Sequence, residues 1–175
     1  MKKHLLAVAV MGLLAGTVMA QTNDTLAKIK SSGSITLGVR ESSGALAYTL
    51  GDGKYVGFHT EMADRVARDL QKQLGLTKLE IKYQPVTSQN RIPLVTNGTV
   101  DLECGSTTND TNRQKDVDFA MTTYMEEVRI ATKANSGING IKDLNGKAVA
   151  TTTGTTSVQT LRKNERAQGI DFKEV

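Results

Sequence analysis

Apolar and polar positions along this chain switch repeatedly between a period of two and a helical period. Thr25 to Lys30 is a short helical stretch closed at Ser32-Gly33, and Ser34 to Val39 then reads as a strand ended by Arg40. Gly51-Asp52-Gly53 marks a turn before Tyr55-Val56-Gly57-Phe58. From Thr60 the period lengthens: Met62, Val66 and Leu70 line one stripe, Ala63, Ala67 and Leu74 lie beside it, and Gly75 stops the helix. Leu79 to Tyr83 alternates as a strand. Asn90 is placed to cap the next helix, Pro93 falls in its first turn, and Asn97-Gly98 closes it. The pattern further predicts strands at Val100–Cys104, Val128–Thr132 and Ala148–Thr152. It places a short helix from Asp110 or Thr111, a longer one over Thr156–Gln168, and the start of a strand at Asp171–Val175.

Strands alternating with helices predict an α/β fold on a parallel sheet. The rhythm is interrupted near Phe119 to Tyr124, which divides the chain into a lobe over 21–119 and part of a second over 120–175. Residues 1–20 read as a signal peptide: Lys2 and Lys3 lead an apolar stretch from Leu5 to Val18, and Val18-Met19-Ala20 fits a cleavage site. Export follows, with the mature chain starting near Gln21. No later segment could span a membrane.

Charge narrows the partners. Without Lys2 and Lys3 the 22 basic residues become 20 against 18 acidic ones, a net +2 with no basic run. Together with the absence of Trp, that argues against nucleic acid. Cys104 is the only cysteine. It reads as a free thiol, an intermolecular pair, half of a pair whose partner lies elsewhere, or a buried reduced residue.

Three segments share one grammar of strand, hydroxyl-rich loop and helix: Thr87-Ser88-Gln89-Asn90-Arg91, Gly105-Ser106-Thr107-Thr108 and Thr153-Gly154-Thr155-Thr156-Ser157. Such loops lie at the carboxyl ends of strands, where ligands bind. Arg91 and Arg113 stand near helix starts, where the macrodipole disfavours a cation unless an anion lies between. Arg40, at the end of the first strand, is a third candidate for bidentate bonds to a carboxylate. Catalytic patterns are poor. His59 is the only histidine after the signal segment, no metal-ligand cluster or nucleophile motif is present, and no cofactor is implied. Asp101 and Glu103 alternate with Val100, Leu102 and Cys104, which places them on the outer face of a strand rather than as a catalytic pair.

At Val39-Arg40-Glu41-Ser42-Ser43, Thr87 to Leu94, Glu103 to Asn109, Arg113-Gln114-Lys115 and Thr153 to Ser157, the chain resembles the periplasmic amino-acid-binding proteins of ABC transporters, in their glutamate/aspartate-binding branch. The resemblance implies a two-lobed, type II periplasmic binding fold that closes over an amino acid, with the second lobe truncated at Val175. It implies that Arg113 and Thr108, helped by Thr155 and Thr156, hold the ligand α-carboxylate. Ser106 would meet the α-amino group, while Arg40, Ser88 and Arg91 would hold the side-chain carboxylate. L-Glutamate or L-aspartate would be the ligand, ABC permease membrane subunits the partner, the periplasm the compartment, and the protein a monomer that is not an enzyme. Two clamps suit a dicarboxylate, since a neutral amino acid would leave one unpaired. The resemblance further implies a second cysteine for Cys104 and further pocket residues beyond Val175. On the same fold, a dehydratase- or transglycosylase-like enzyme and a ligand-sensing domain are the alternatives.

Overall fold

The structure is a computed structural model that describes residues 24–175, so the expected signal peptide lies outside the described residues. Its centre is β1 (Ser34–Val39), flanked in parallel by β4 (Glu80–Pro85) and β5 (Leu102–Glu103) in the order β4-β1-β5. β1 is the middle strand, and the face that carries Ile35, Leu37 and Val39 is fully buried. Gly38 between them has no room for a side chain, since a Cβ there would lie 3.0–3.3 Å from Val100 and Glu103.

Helix α1 (Thr25–Ser32) precedes the sheet, capped by the Asp24 carboxylate on Ala27 N at 3.1 Å and ended by Gly33 at φ +65°. The antiparallel hairpin of β2 (Tyr48–Gly51) and β3 (Lys54–Val56) turns at the expected glycines. β3 stops at Val56 because Gly57, at φ +120°, turns the chain into α2 (Phe58–Gln73), which starts two residues before the expected Thr60. A Cβ on Gly57 would meet Leu46 O at 2.7 Å. On α2 the core face is Ala63, Ala67, Leu70 and Leu74, packed with Ile29 and β1. Met62 and Val66 instead border an open cleft, and Val66 is 39 % exposed.

Helix α3 (Arg91–Thr96) begins directly after Asn90, the expected cap position, although the Asn90 side chain does not cap it. Asn90 Oδ1 instead accepts from Thr87 N at 2.7 Å, and Thr87 Oγ1 accepts from Asn90 N at 3.1 Å, which closes the preceding turn. The expected strand at Val100–Cys104 is confined to β5. Asp101 and Glu103 do not face solvent as expected. The Asp101 side chain is 3 % exposed, accepting from Thr36 N at 2.8 Å and Lys28 Nζ at 2.7 Å, because α1 covers that end of the sheet.

The helix expected from Asp110 or Thr111 is one 3₁₀ turn, Arg113–Lys115. Val128–Thr132 is not a strand: no described strand lies alongside to accept its backbone hydrogen bonds, and Val128 and Ile130 stay exposed. The last unit pairs β6 (Ala148–Val149) with β7 (Lys173–Glu174) in parallel around α4 (Thr156–Gln168), ended by Gly169 at φ +62°.

Candidate functional site

Parallel pairing delivers three loops to one edge. β1, β4 and β5 run the same way, so Arg40, the turn after Pro85 and the turn after Glu103 all emerge at the carboxyl end of the sheet. Arg40 uses its whole fork: Nε donates to Ser43 Oγ at 3.1 Å, Nη1 to Val86 O at 2.7 Å and Nη2 to Ser88 Oγ at 3.3 Å. The Ser43 and Ser106 hydroxyls meet at 3.2 Å.

Arg91 opens α3 and is only 2 % exposed. Its Nη1 donates to Ser106 Oγ at 3.4 Å, while its Nε is buried without a partner. Burial is the main cause of a pKa pushed down to about 10; the Glu103 carboxylate opposes the shift, and Arg113 and Arg40 add to it. The guanidinium therefore remains charged at neutral pH. A buried cation with one long hydrogen bond is costly unless an anion completes its shell.

Arg113 is set by Asp110, whose Oδ1 accepts from Arg113 N at 3.0 Å and whose Oδ2 lies 3.6 Å from Arg113 Nε. Its Nη1 donates to Thr108 O at 3.0 Å and its Nη2 to Gly154 O at 3.1 Å. The Thr108 and Thr156 hydroxyls lie 3.3 Å apart. Gly154, at φ +80°, presses on the turn after β4: a Cβ there would stand 2.7 Å from Ser88 O and Gln89 Cα. That contact joins the Arg40–Ser88–Ser43–Ser106–Arg91 group to the Arg113–Thr108–Thr156 group. Thr155 stands outside both, its hydroxyl turned back to Thr152 O at 2.8 Å.

Seven of the eight expected residues are thus brought into two joined hydrogen-bonded groups. Ser43 and Asp110 also belong to them and were not singled out as site residues. Each sits three residues from its arginine, a spacing that lets a short side chain meet a guanidinium. Two clefts border the cluster, one of about 460 Å³ reaching Ser106, Thr107 and Thr108, the other of about 300 Å³ reaching Arg40, Ser88 and Thr153. Arg91 and Arg113 line neither.

His59 is the second residue of α2 and bonds Thr123 Oγ1 through Nε2 at 2.8 Å. Cys104 carries a free, half-buried thiol against the core, raised to about 11 by burial and then by Glu103. Among the described residues no group of three or more His, Cys, Asp or Glu side chains could hold a metal ion. None of their helices is long and apolar enough to cross a membrane.

Residues 35–172 match the bacterial extracellular solute-binding proteins, family 3. The chain is 46 % identical to an L-glutamate/L-aspartate-binding protein of Pseudomonas aeruginosa over 156 residues, covering 87 % of this chain and 51 % of that protein. It is 41 % identical to a glutamate/aspartate import solute-binding protein of Salmonella typhimurium, covering 99 % of this chain and 59 % of that one. The chain therefore spans between half and three-fifths of the length of these relatives. The fold is also that of the ancestral amino acid-binding protein AncCDT-1, a precursor of cyclohexadienyl dehydratase. The TM-score is 0.68 at 24 % identity, covering 86 % of this chain and 63 % of that one. The architecture is that of the two-lobed amino-acid-binding proteins.

Proposed function

This chain belongs to the bacterial extracellular solute-binding proteins, family 3, and from that premise we propose that it serves to capture an acidic amino acid, L-glutamate or L-aspartate, for import. The whole protein would act in the periplasm as a monomer, handing its ligand to the membrane subunits of an ABC transporter. The observation that carries this reading is the convergence of Arg40 and Arg91 on the hydroxyls of Ser88 and Ser106 and of Arg113 on the Thr108 carbonyl, with Arg91 buried and its Nε unpartnered. In this reading Arg113, Thr108 and the Thr155–Thr156 turn take the α-carboxylate, and Ser106 takes the α-amino group. Arg40, Ser88 and Arg91 take the side-chain carboxylate. In this reading residues 21–119 form the first lobe and 120–175 part of the second, and the contact of Gly154 with Ser88 lies between them.

We read the role as binding rather than catalysis, because the imidazole of His59 is committed to Thr123 and the site hydroxyls are committed to arginines or to one another. The reading is tested by a thermal-shift and calorimetric screen of L-glutamate, L-aspartate, L-glutamine, L-arginine and L-lysine. The two acidic amino acids should give the largest shifts. Arginine or lysine as best ligand would overturn the proposal.

A further inference from the structure

Glu103 is the one carboxylate set into the arginine cluster without a cation in hydrogen-bond contact. It leaves β5 opposite Gly38, where the missing side chain gives its stem room: a Cβ there would touch Glu103 Cγ at 3.2 Å. It then folds over Gly105, where a Cβ would lie 2.3 Å from Glu103 Oε1 and 2.7 Å from Arg40 Cγ. Two glycines therefore make the space for one side chain. Oε2 accepts from Thr107 Oγ1 at 2.7 Å, and Oε1 is buried without a partner. A carboxylate whose only hydrogen bond is to a hydroxyl is under-satisfied, and its charge acts on its surroundings at reduced screening.

We propose that Glu103 is a specificity-determining counter-charge: it sets the net charge of the anion site so that a dicarboxylate carrying an ammonium group is preferred over one without. This rests on the reading of the site as an acidic-amino-acid clamp. Glu103 adds a negative charge among three guanidinium groups, beside Asp110 and with Glu41 bordering the Arg40 cleft. L-Glutamate at neutral pH has two carboxylates and one ammonium, a single net negative charge. Glutarate has the same two carboxylates and no ammonium, so it brings two negative charges and is repelled more strongly by Glu103. Without Glu103 that additional penalty on glutarate is lost. The stronger pull of Glu103 on Arg91 than of either neighbouring arginine agrees with this placement.

The test compares the full chain with Glu103→Gln, Glu103→Asp and Thr107→Val by calorimetry with L-glutamate and glutarate, and by thermal melts with sodium sulfate against sodium chloride at equal ionic strength. Glu103→Gln should move the preference about tenfold toward glutarate and should gain more melting temperature from sulfate than the parent does. Glu103→Asp and Thr107→Val keep the charge and should keep the parental ratio. Glu103→Ala carries the same expectation as the amide if the latter does not fold. An unchanged ratio and sulfate response in a folded Glu103→Gln would overturn the proposal, as would the same shift in Thr107→Val. If neither ligand binds the parent, the acidic-amino-acid reading fails, and the sulfate comparison decides alone: a larger gain in Glu103→Gln supports the counter-charge, and an equal one overturns it.

Discussion

The guanidinium of Arg113 donates to Gly154 O at 3.1 Å, tying the turn after β5 to the turn before α4. Its other terminal nitrogen holds Thr108 O, so one planar fork spans both loops. An ammonium cannot reproduce that fork. Arg113→Lys should therefore undock the 153–157 turn while leaving the sheet intact. Amide exchange at Thr155 to Ser157 should quicken several-fold, with unchanged protection at Ile35 to Val39. Equal exchange in both variants would rule out this tie.

Arg91 stabilises nothing in proportion to its burial. Its charge is desolvated, it holds one hydrogen bond at 3.4 Å, and its Nε has no partner. Arg91→Met, of similar length and without charge, should raise the stability of the ligand-free chain by about 1–3 kcal/mol, a shift of several degrees in melting temperature. The same change should abolish binding of acidic amino acids. A destabilised variant would show that Arg91 is a structural group.

Gly154 can be tested by one methyl group. Gly154→Ala puts a Cβ 2.7 Å from Ser88 O at φ +80°, so the turn must shift or separate from α3. Amino-acid binding should fall at least tenfold. The free energy of urea unfolding should stay within about 0.5 kcal/mol of the parent's, since the change lies outside the core.

Cys104 gives a pH signature with a definite sign. Burial and then Glu103 raise its thiol from 9.0 to about 11. Between those values the folded chain holds a proton that the unfolded chain has lost, so stability is flat below pH 9 and falls as pH rises toward 11. Cys104→Ala should lack that part of the slope. Alkylation of native Cys104 should be slow at pH 8, when the thiolate is scarce. Identical pH–stability curves for the two proteins would contradict the shift.

Much of the sheet could be read directly from the chain, because local pattern and tertiary environment agree there. Ile35, Leu37 and Val39 alternate around Thr36 and Gly38 and end as the central strand. Gly51 and Gly53 take the turn between β2 and β3, and Gly169 ends α4. The grouping of Arg40 and Arg91, and of Arg113 beside them, was legible because cations at strand and helix ends conflict with local electrostatics; for Arg40 and Arg113 carbonyls, hydroxyls and Asp110 relieve that conflict. Asp101 and Glu103 were misplaced for a physical reason. Alternation tells which residues share a face, but it does not tell what covers that face. Lys28 and the Thr36 amide cover Asp101, while Gly38 and Gly105 make the recess that takes Glu103. Val128 to Thr132 has the composition of a strand, but a strand exists only when a neighbour accepts its hydrogen bonds.

The central place of β1 has a kinetic consequence. Ser34 finds its partner only at Glu80, and Leu37 its other partner only at Leu102. Neither pairing can form until those distant residues have been synthesised and a long loop has closed, so formation of this sheet is governed by long-range contacts. Arg40 stays unassembled until β4 arrives, and Arg91 until Ser106 does. During synthesis the contacts of Arg40 with Val86 and of Arg91 with Ser106 thus wait on residues made long after β1 has left the ribosome.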